Sequence, residues 1–160
     1  MRDLSPWLFA VLVALCPSAA GASHAQVVVN EVMASNAATI ADPDFGSSAD
    51  WIELHNPSPE AVDLGGAFLT DDLEAPARWA FPAGATLAPG GYLLVWASGE
   101  DTGPPEATGY HTSFKLSAGG EAVGLFSASG AVLDTVTFGE SHVDRVAPGR
   151  WESRKPARQS

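Results

Sequence analysis

The chain has 160 residues, is 46% hydrophobic and only 17% charged, and carries a formal net charge of −11. So acidic a chain is poorly suited to nucleic acid, because binding a phosphate backbone needs cations to replace the released counterions. Its single cysteine, Cys16, permits no intramolecular disulfide, so stability must come from a hydrophobic core.

The first 25 residues read as a secretory signal peptide. Arg2 and the amino terminus give a positive start, Trp7 through Leu15 is an unbroken apolar run, and Ser23-His24-Ala25 is a small-x-small cleavage signal. The run is too short for a membrane span. Cleavage near Ala25-Gln26 would place the protein in the medium, on the cell surface or in the periplasm, and would remove Cys16. A lipoprotein signal ending at Cys16 is the alternative, but Leu15 stands where a small residue is required. Residues 26–144 then have the length of one domain. Between Gln26 and Asp144, 17 acidic residues stand against Arg78 and Lys115 alone, whereas residues 145–160 hold five basic residues and Glu152. The second segment reads as a basic, flexible tail.

Val27 to Ala34 alternates as a first strand, followed by a polar, turn-rich loop over residues 36–49. Asp50-Trp51-Ile52-Glu53-Leu54-His55 has a clean period of two, with Ile52 and Leu54 on one face and Trp51, Glu53 and His55 on the other; Asn56-Pro57 ends it. Val62 and Leu64 restore the alternation until Gly65-Gly66. Phe68 to Thr70 and Arg78 to Phe81 are short strands, and Ala88-Pro89-Gly90-Gly91 is a turn that launches Tyr92 to Ala97, apolar on both faces. Residues 98–110 read as a loop without packed structure. Phe114 to Leu116 reads as a strand, and Val123 to Ser127 with Val132 to Phe138 forms a hairpin. No stretch after residue 26 has the 3.6-residue period of a helix. The pattern predicts an all-β, immunoglobulin-like β-sandwich of about eight or nine short strands.

In order, NEVMASN (30–36), DWIELHNPS (50–58), VDLGGAFLTDD (62–72), RWAFPAGATLAPGGYLLVWAS (78–98) and FKLSAGGEAVGLFSASGAVLDTVTFG (114–139) resemble a bacterial lamin tail domain. The resemblance covers roughly residues 27–139. It implies an immunoglobulin-like sandwich without catalytic residues, on secreted or surface proteins, often beside hydrolase modules; in animal lamins the fold serves protein interactions. The C-terminus departs from the family pattern, since Val143 to Trp151 lacks the Pro-Asp-Gly turn that precedes a closing tryptophan.

Four carboxylates invite a metal. Asp42, Asp44, Asp50 and Glu53 fall at positions 1, 3, 9 and 12 of a calcium-type loop, where hard oxygen donors wrap Ca²⁺. The glycine such a loop needs at position 6 is Ser47, so the pattern is not an EF-hand, and a solvated acidic loop is the plainer reading. Asp71, Asp72 and Glu74 form a second acidic group suited to turn bonding. Glu53 and His55 share a strand face, as a general base and its orienting partner would. No G-x-S-x-G, H-E-x-x-H or phosphate-cradling glycine loop accompanies them. Trp51, Trp79, Tyr92 and Trp96 are expected in the core rather than on a ligand platform. The sequence therefore predicts a secreted, non-enzymatic module with a protein or cell-surface partner. A calcium-stabilised adhesion domain and an accessory domain of a secreted hydrolase are the alternatives.

Overall fold

The computed structural model describes residues 27–101 and 109–139; the signal peptide and flexible basic tail expected from the sequence, and the C-terminal departure, lie outside them. The described residues form ten strands: β1 (Val28–Met33), β2 (Asp50–His55), β3 (Val62–Asp63), β4 (Phe68–Thr70), β5 (Trp79–Ala80), β6 (Thr86–Leu87), β7 (Tyr92–Ala97), β8 (Tyr110–His111), β9 (Glu121–Phe126) and β10 (Val132–Phe138). One sheet has the order β1-β2-β7-β8 and the other β10-β9-β4-β5, with β3 and β6 paired separately. All pairings are antiparallel except β7 with β8.

The alternation seen in the sequence decides which side of each strand enters the core. Ile52 and Leu54 of β2, Val95 of β7, Leu69 of β4 and Val123 and Leu125 of β9 are completely buried between the sheets. With no disulfide to close unfolded loops, burial of such side chains, each stabilising by roughly 1.5–3 kcal/mol, is the main cohesive term.

Both sides of the sandwich are sealed by specific contacts. On one side β1 and β10 carry β-bulges, at Val29/Glu31 and Val132/Asp134, and the Val29 N–H donates to Asp134 Oδ2 at 2.9 Å. On the other, Trp79 of β5 and Tyr110 of β8 meet edge to face, with Phe81 wedged against both rings. Trp79 Nε1 donates to the Asp101 carbonyl across the same gap.

Three local expectations differ from the structure. Tyr110 does not belong to an unpacked loop: with His111 it forms a two-residue strand parallel to β7. Phe114 to Leu116 contributes only an isolated bridge, Lys115 to Ser98. Phe114 and Leu116 are nevertheless buried, so their alternation reflects two side chains plugging the core from a loop. Thr86-Leu87 forms a strand that its turn-rich surroundings hid.

Candidate functional site

The outer face of the first sheet is unusual in being buried at one end. Register aligns Met33, Trp51, Trp96 and His111 in one row across β1, β2, β7 and β8. Directly opposed residues share a face, and this row lies on the face turned away from Ile52, Leu54 and Val95. Trp51, Trp96 and His111 are all buried there. Gly109 lies so close over the Trp96 indole that a β-carbon at that position would stand 3.0 Å from Cδ1. A larger residue at 109 would lift this cover.

The β1–β2 loop lies beside that row and is organised by two buried polar side chains. Asn36 Nδ2 donates to the carbonyls of Ile40 and Ala49, and its Oδ1 accepts the Thr39 N–H. Asp42 is entirely buried; its Oδ1 accepts the N–H groups of Asp44 and Phe45, while its backbone pairs with Gly46 and Ser47. These bonds replace the water that a polar loop would otherwise require.

The folded loop brings Asp42 and Asp44 to His111, 67 residues downstream of Asp44. His111 Nε2 is 3.1 Å from Asp44 Oδ2, which also accepts the Gly109 N–H. His111 Nδ1 lies 3.2 Å from Ser98 Oγ and 3.6 Å from Asp42 Oδ2. The His111 and Asp42 side chains are fully buried and that of Asp44 is 6% exposed. Phe45 closes edge-on against the imidazole at 5.0 Å between ring centroids. One donor atom from each of Asp42, Asp44 and His111 lies within 4.8 Å of the other two.

The four carboxylates grouped by calcium-loop spacing thus separate. Asp42 and Asp44 converge, whereas Asp50 and Glu53 take other partners. Asp50 Oδ1 accepts the Asn36 N–H at the loop's entrance. Glu53 lies farther along the outer face, where Asn30 Nδ2 donates to its Oε1 at 2.6 Å. The bulge between Val29 and Glu31 places Asn30 there. The physical reason is that a helix-flanked calcium loop curls its donors inward, whereas here Asp50 and Glu53 already belong to a strand. A strand sends residues an odd number apart to opposite faces.

His55 does lie beside Glu53 on that face, but its ring stacks on Tyr92 at 4.3 Å. Tyr92 is 49% exposed, unlike the three tryptophans, which are buried as expected. His111 was only one of several histidines in the sequence. Nothing adjacent to it marks it as the partner of a loop more than sixty residues away; only the β7–β8 pairing does so.

A two-sheet sandwich with this strand order and no helix among its described residues defines an immunoglobulin-like β-sandwich protein. The Lamin Tail Domain family profile matches residues 20–140, most of the chain, and the chain belongs to that family. No curated protein matches it. The fold class and family resemblance read from the sequence both hold. Among the described residues, no helix is long and apolar enough to cross a membrane.

Proposed function

We propose that the chain is a secreted, non-enzymatic interaction module of the lamin tail type, acting outside the cytoplasm through the end of the sandwich that bears the β1–β2 loop. One observation carries this reading. The loop is fixed by partly buried hydrogen bonds of Asn36, Asp42 and Asp50, yet it holds the large apolar side chains of Ile40 and Phe45 40% and 44% exposed. Binding residues are commonly displayed on loops that a rigid scaffold positions. A cleft of about 410 Å³ beside Phe45, lined by Ser48, Asp50, Ser98, Glu100 and Lys115, adds polar groups to the same end. The partner class is a protein or cell-surface component, and a secreted hydrolase as partner would make the chain its accessory domain.

Site-specific photo-cross-linking from position 45 in intact cells, with position 132 as an exposed control, tests the surface. The reading expects one adduct from 45 that is absent from 132. It also expects Ile40→Ser with Phe45→Ser to weaken binding of the purified partner at least tenfold while the chain stays folded. Unchanged affinity of the double variant would overturn it. N-terminal sequencing of protein recovered from the medium tests export, with Gln26 as the expected first residue. Hydrolysis of esters or glycans that is lost in His55→Ala would refute the non-enzymatic reading.

A further inference from the structure

We propose that Asp42, Asp44 and His111 form a binding site for one divalent transition-metal ion of the zinc or manganese type, which fastens the β1–β2 loop to the edge strand β8. Three observations lead to it. First, one imidazole and two carboxylates from segments far apart in sequence present donor atoms within 4.8 Å of one another in a site that is nearly closed to solvent.

Second, Asp42 Oδ2 is buried and has no hydrogen-bond partner, although Oδ1 of the same carboxylate accepts two N–H groups. The unpartnered oxygen points toward the imidazole, 3.6 Å from Nδ1. Leaving a buried carboxylate oxygen unsatisfied forfeits its hydration without return, so a fold that places it there calls for a ligand at that point.

Third, two nearly buried carboxylates face a single imidazole. A neutral imidazole carries a single N–H, but each ring nitrogen of His111 faces a carboxylate oxygen, Asp44 at Nε2 and Asp42 at Nδ1. With its one hydrogen on Nε2 toward Asp44, the ring can accept from Ser98 Oγ at Nδ1, and the contact with Asp42 Oδ2 then sets lone pair against lone pair. A second proton relieves the contact but leaves two carboxylates against one imidazolium. A dication neutralises both carboxylates.

The donor set selects the ion. Calcium and magnesium favour sites made of oxygen, whereas imidazole nitrogen suits zinc, and mixed carboxylate–imidazole sites suit zinc or manganese. Bonds of about 2.0–2.2 Å hold tetrahedral donors roughly 3.3–3.6 Å apart, and the 3.6 Å from Asp42 Oδ2 to His111 Nδ1 lies at that spacing, while Asp44 Oδ2 stands 3.1 Å from the other ring nitrogen. Whichever nitrogen binds the ion, the other retains a hydrogen-bond partner, Ser98 Oγ at Nδ1 or Asp44 Oδ2 at Nε2. Outer partners of this kind orient metal-binding histidines generally. Water would complete the coordination of a three-ligand site.

The test uses the full chain, stripped with chelator and dialysed. Calorimetric titration with Zn²⁺ is expected to give one site per chain. Zinc at a hundredfold excess over Kd is expected to raise the melting temperature by roughly 10 °C, with millimolar Ca²⁺ far less effective. Co²⁺ is expected to produce visible ligand-field absorption that one equivalent of Zn²⁺ abolishes. His111→Gln and Asp44→Asn are each expected to lower zinc affinity at least a hundredfold. Absence of both a zinc-dependent shift and cobalt absorption in the unmodified chain would overturn the proposal. Undiminished one-site zinc binding in a folded His111→Gln chain would also overturn it, by assigning the ion to other histidines. Because the unmodified chain is measured directly, the proposal can fail even if neither variant folds.

Discussion

Asn56 ties together more of the chain than any reading of its neighbours suggests. It is completely buried. Its Nδ2 donates to the carbonyls of Glu60, Leu87 and Ala88, and its Oδ1 accepts the Ser58 N–H. The side chain thereby joins the exit of β2 to the turn after β6. Asn56→Ala strands these carbonyls in the interior and is expected to lower stability by about 3 kcal/mol in urea denaturation. Asn56→Asp should cost at least as much, since a carboxylate would face three carbonyl oxygens. The sequence marks Asn56-Pro57 as the end of a strand, which is correct. Its clamp is invisible there because two of its partners lie more than thirty positions away.

Glu121 gives a residue-scale prediction of the opposite sign. Burial holds its carboxyl above the ordinary value of 4.5, an effect that the Ser117 N–H it accepts partly offsets, and Asp71 raises it further. Raised above its unfolded value, the group binds more protons in the folded state. Its contribution to stability is therefore fully present below about pH 4 and is lost as pH rises through the folded value. Glu121→Gln keeps an oxygen for the Ser117 N–H and removes the partly desolvated charge. The variant should melt higher than the parent at pH 7, and the difference should vanish near pH 3.5; an equal difference at both pH values would contradict it.

At the scale of elements, legibility follows periodicity. Strands β2, β7, β9 and β10 are visible in the sequence because six or seven residues alternate or run apolar between turn signals. Strand β8 is not, since two residues show no period and a Pro/Gly-rich stretch precedes them. Half of the candidate site is visible for the same reason: Asp42 and Asp44 stand close together in a loop, but His111 sits on the element that periodicity cannot detect. The glycine pair Gly119-Gly120 just before β9 has a consequence that can be made quantitative. Gly120 has φ +93°, and a β-carbon there would stand 2.5 Å from the Phe138 carbonyl oxygen and 2.6 Å from Gly139 Cα. Both obstacles are backbone and cannot rotate away. Gly120→Ala is expected to cost roughly 2 kcal/mol or more, by combining a forbidden dihedral with a clash at the foot of the β9–β10 hairpin. Gly130, also at positive φ but with open space around it, should lose only about 1 kcal/mol to the same change. Thermal melts of the two variants side by side separate strain from collision.

The whole molecule must keep two open-edged sheets from pairing with other copies of themselves. Edge strands expose N–H and C=O groups that template association unless bulges, charges or cover intervene. Here β1 and β10 are the edges on one side; both are bulged, and Asp134 spans them by accepting the Val29 N–H. The carboxylate therefore both links the sheets and places a negative charge beside Val132, a large apolar side chain that is 57% exposed. Asp134→Ala removes link and charge together and is expected to cost about 1–2 kcal/mol, the range for a partly solvated hydrogen bond to a charged group, and to increase self-association in sedimentation velocity. Asp134→Asn preserves an oxygen for the Val29 N–H but not the charge. If the edge is guarded by charge, Asn should associate as readily as Ala while melting close to the parent. If the bulges alone suffice, neither variant should associate, and the loss of stability in Ala should be the only effect measured.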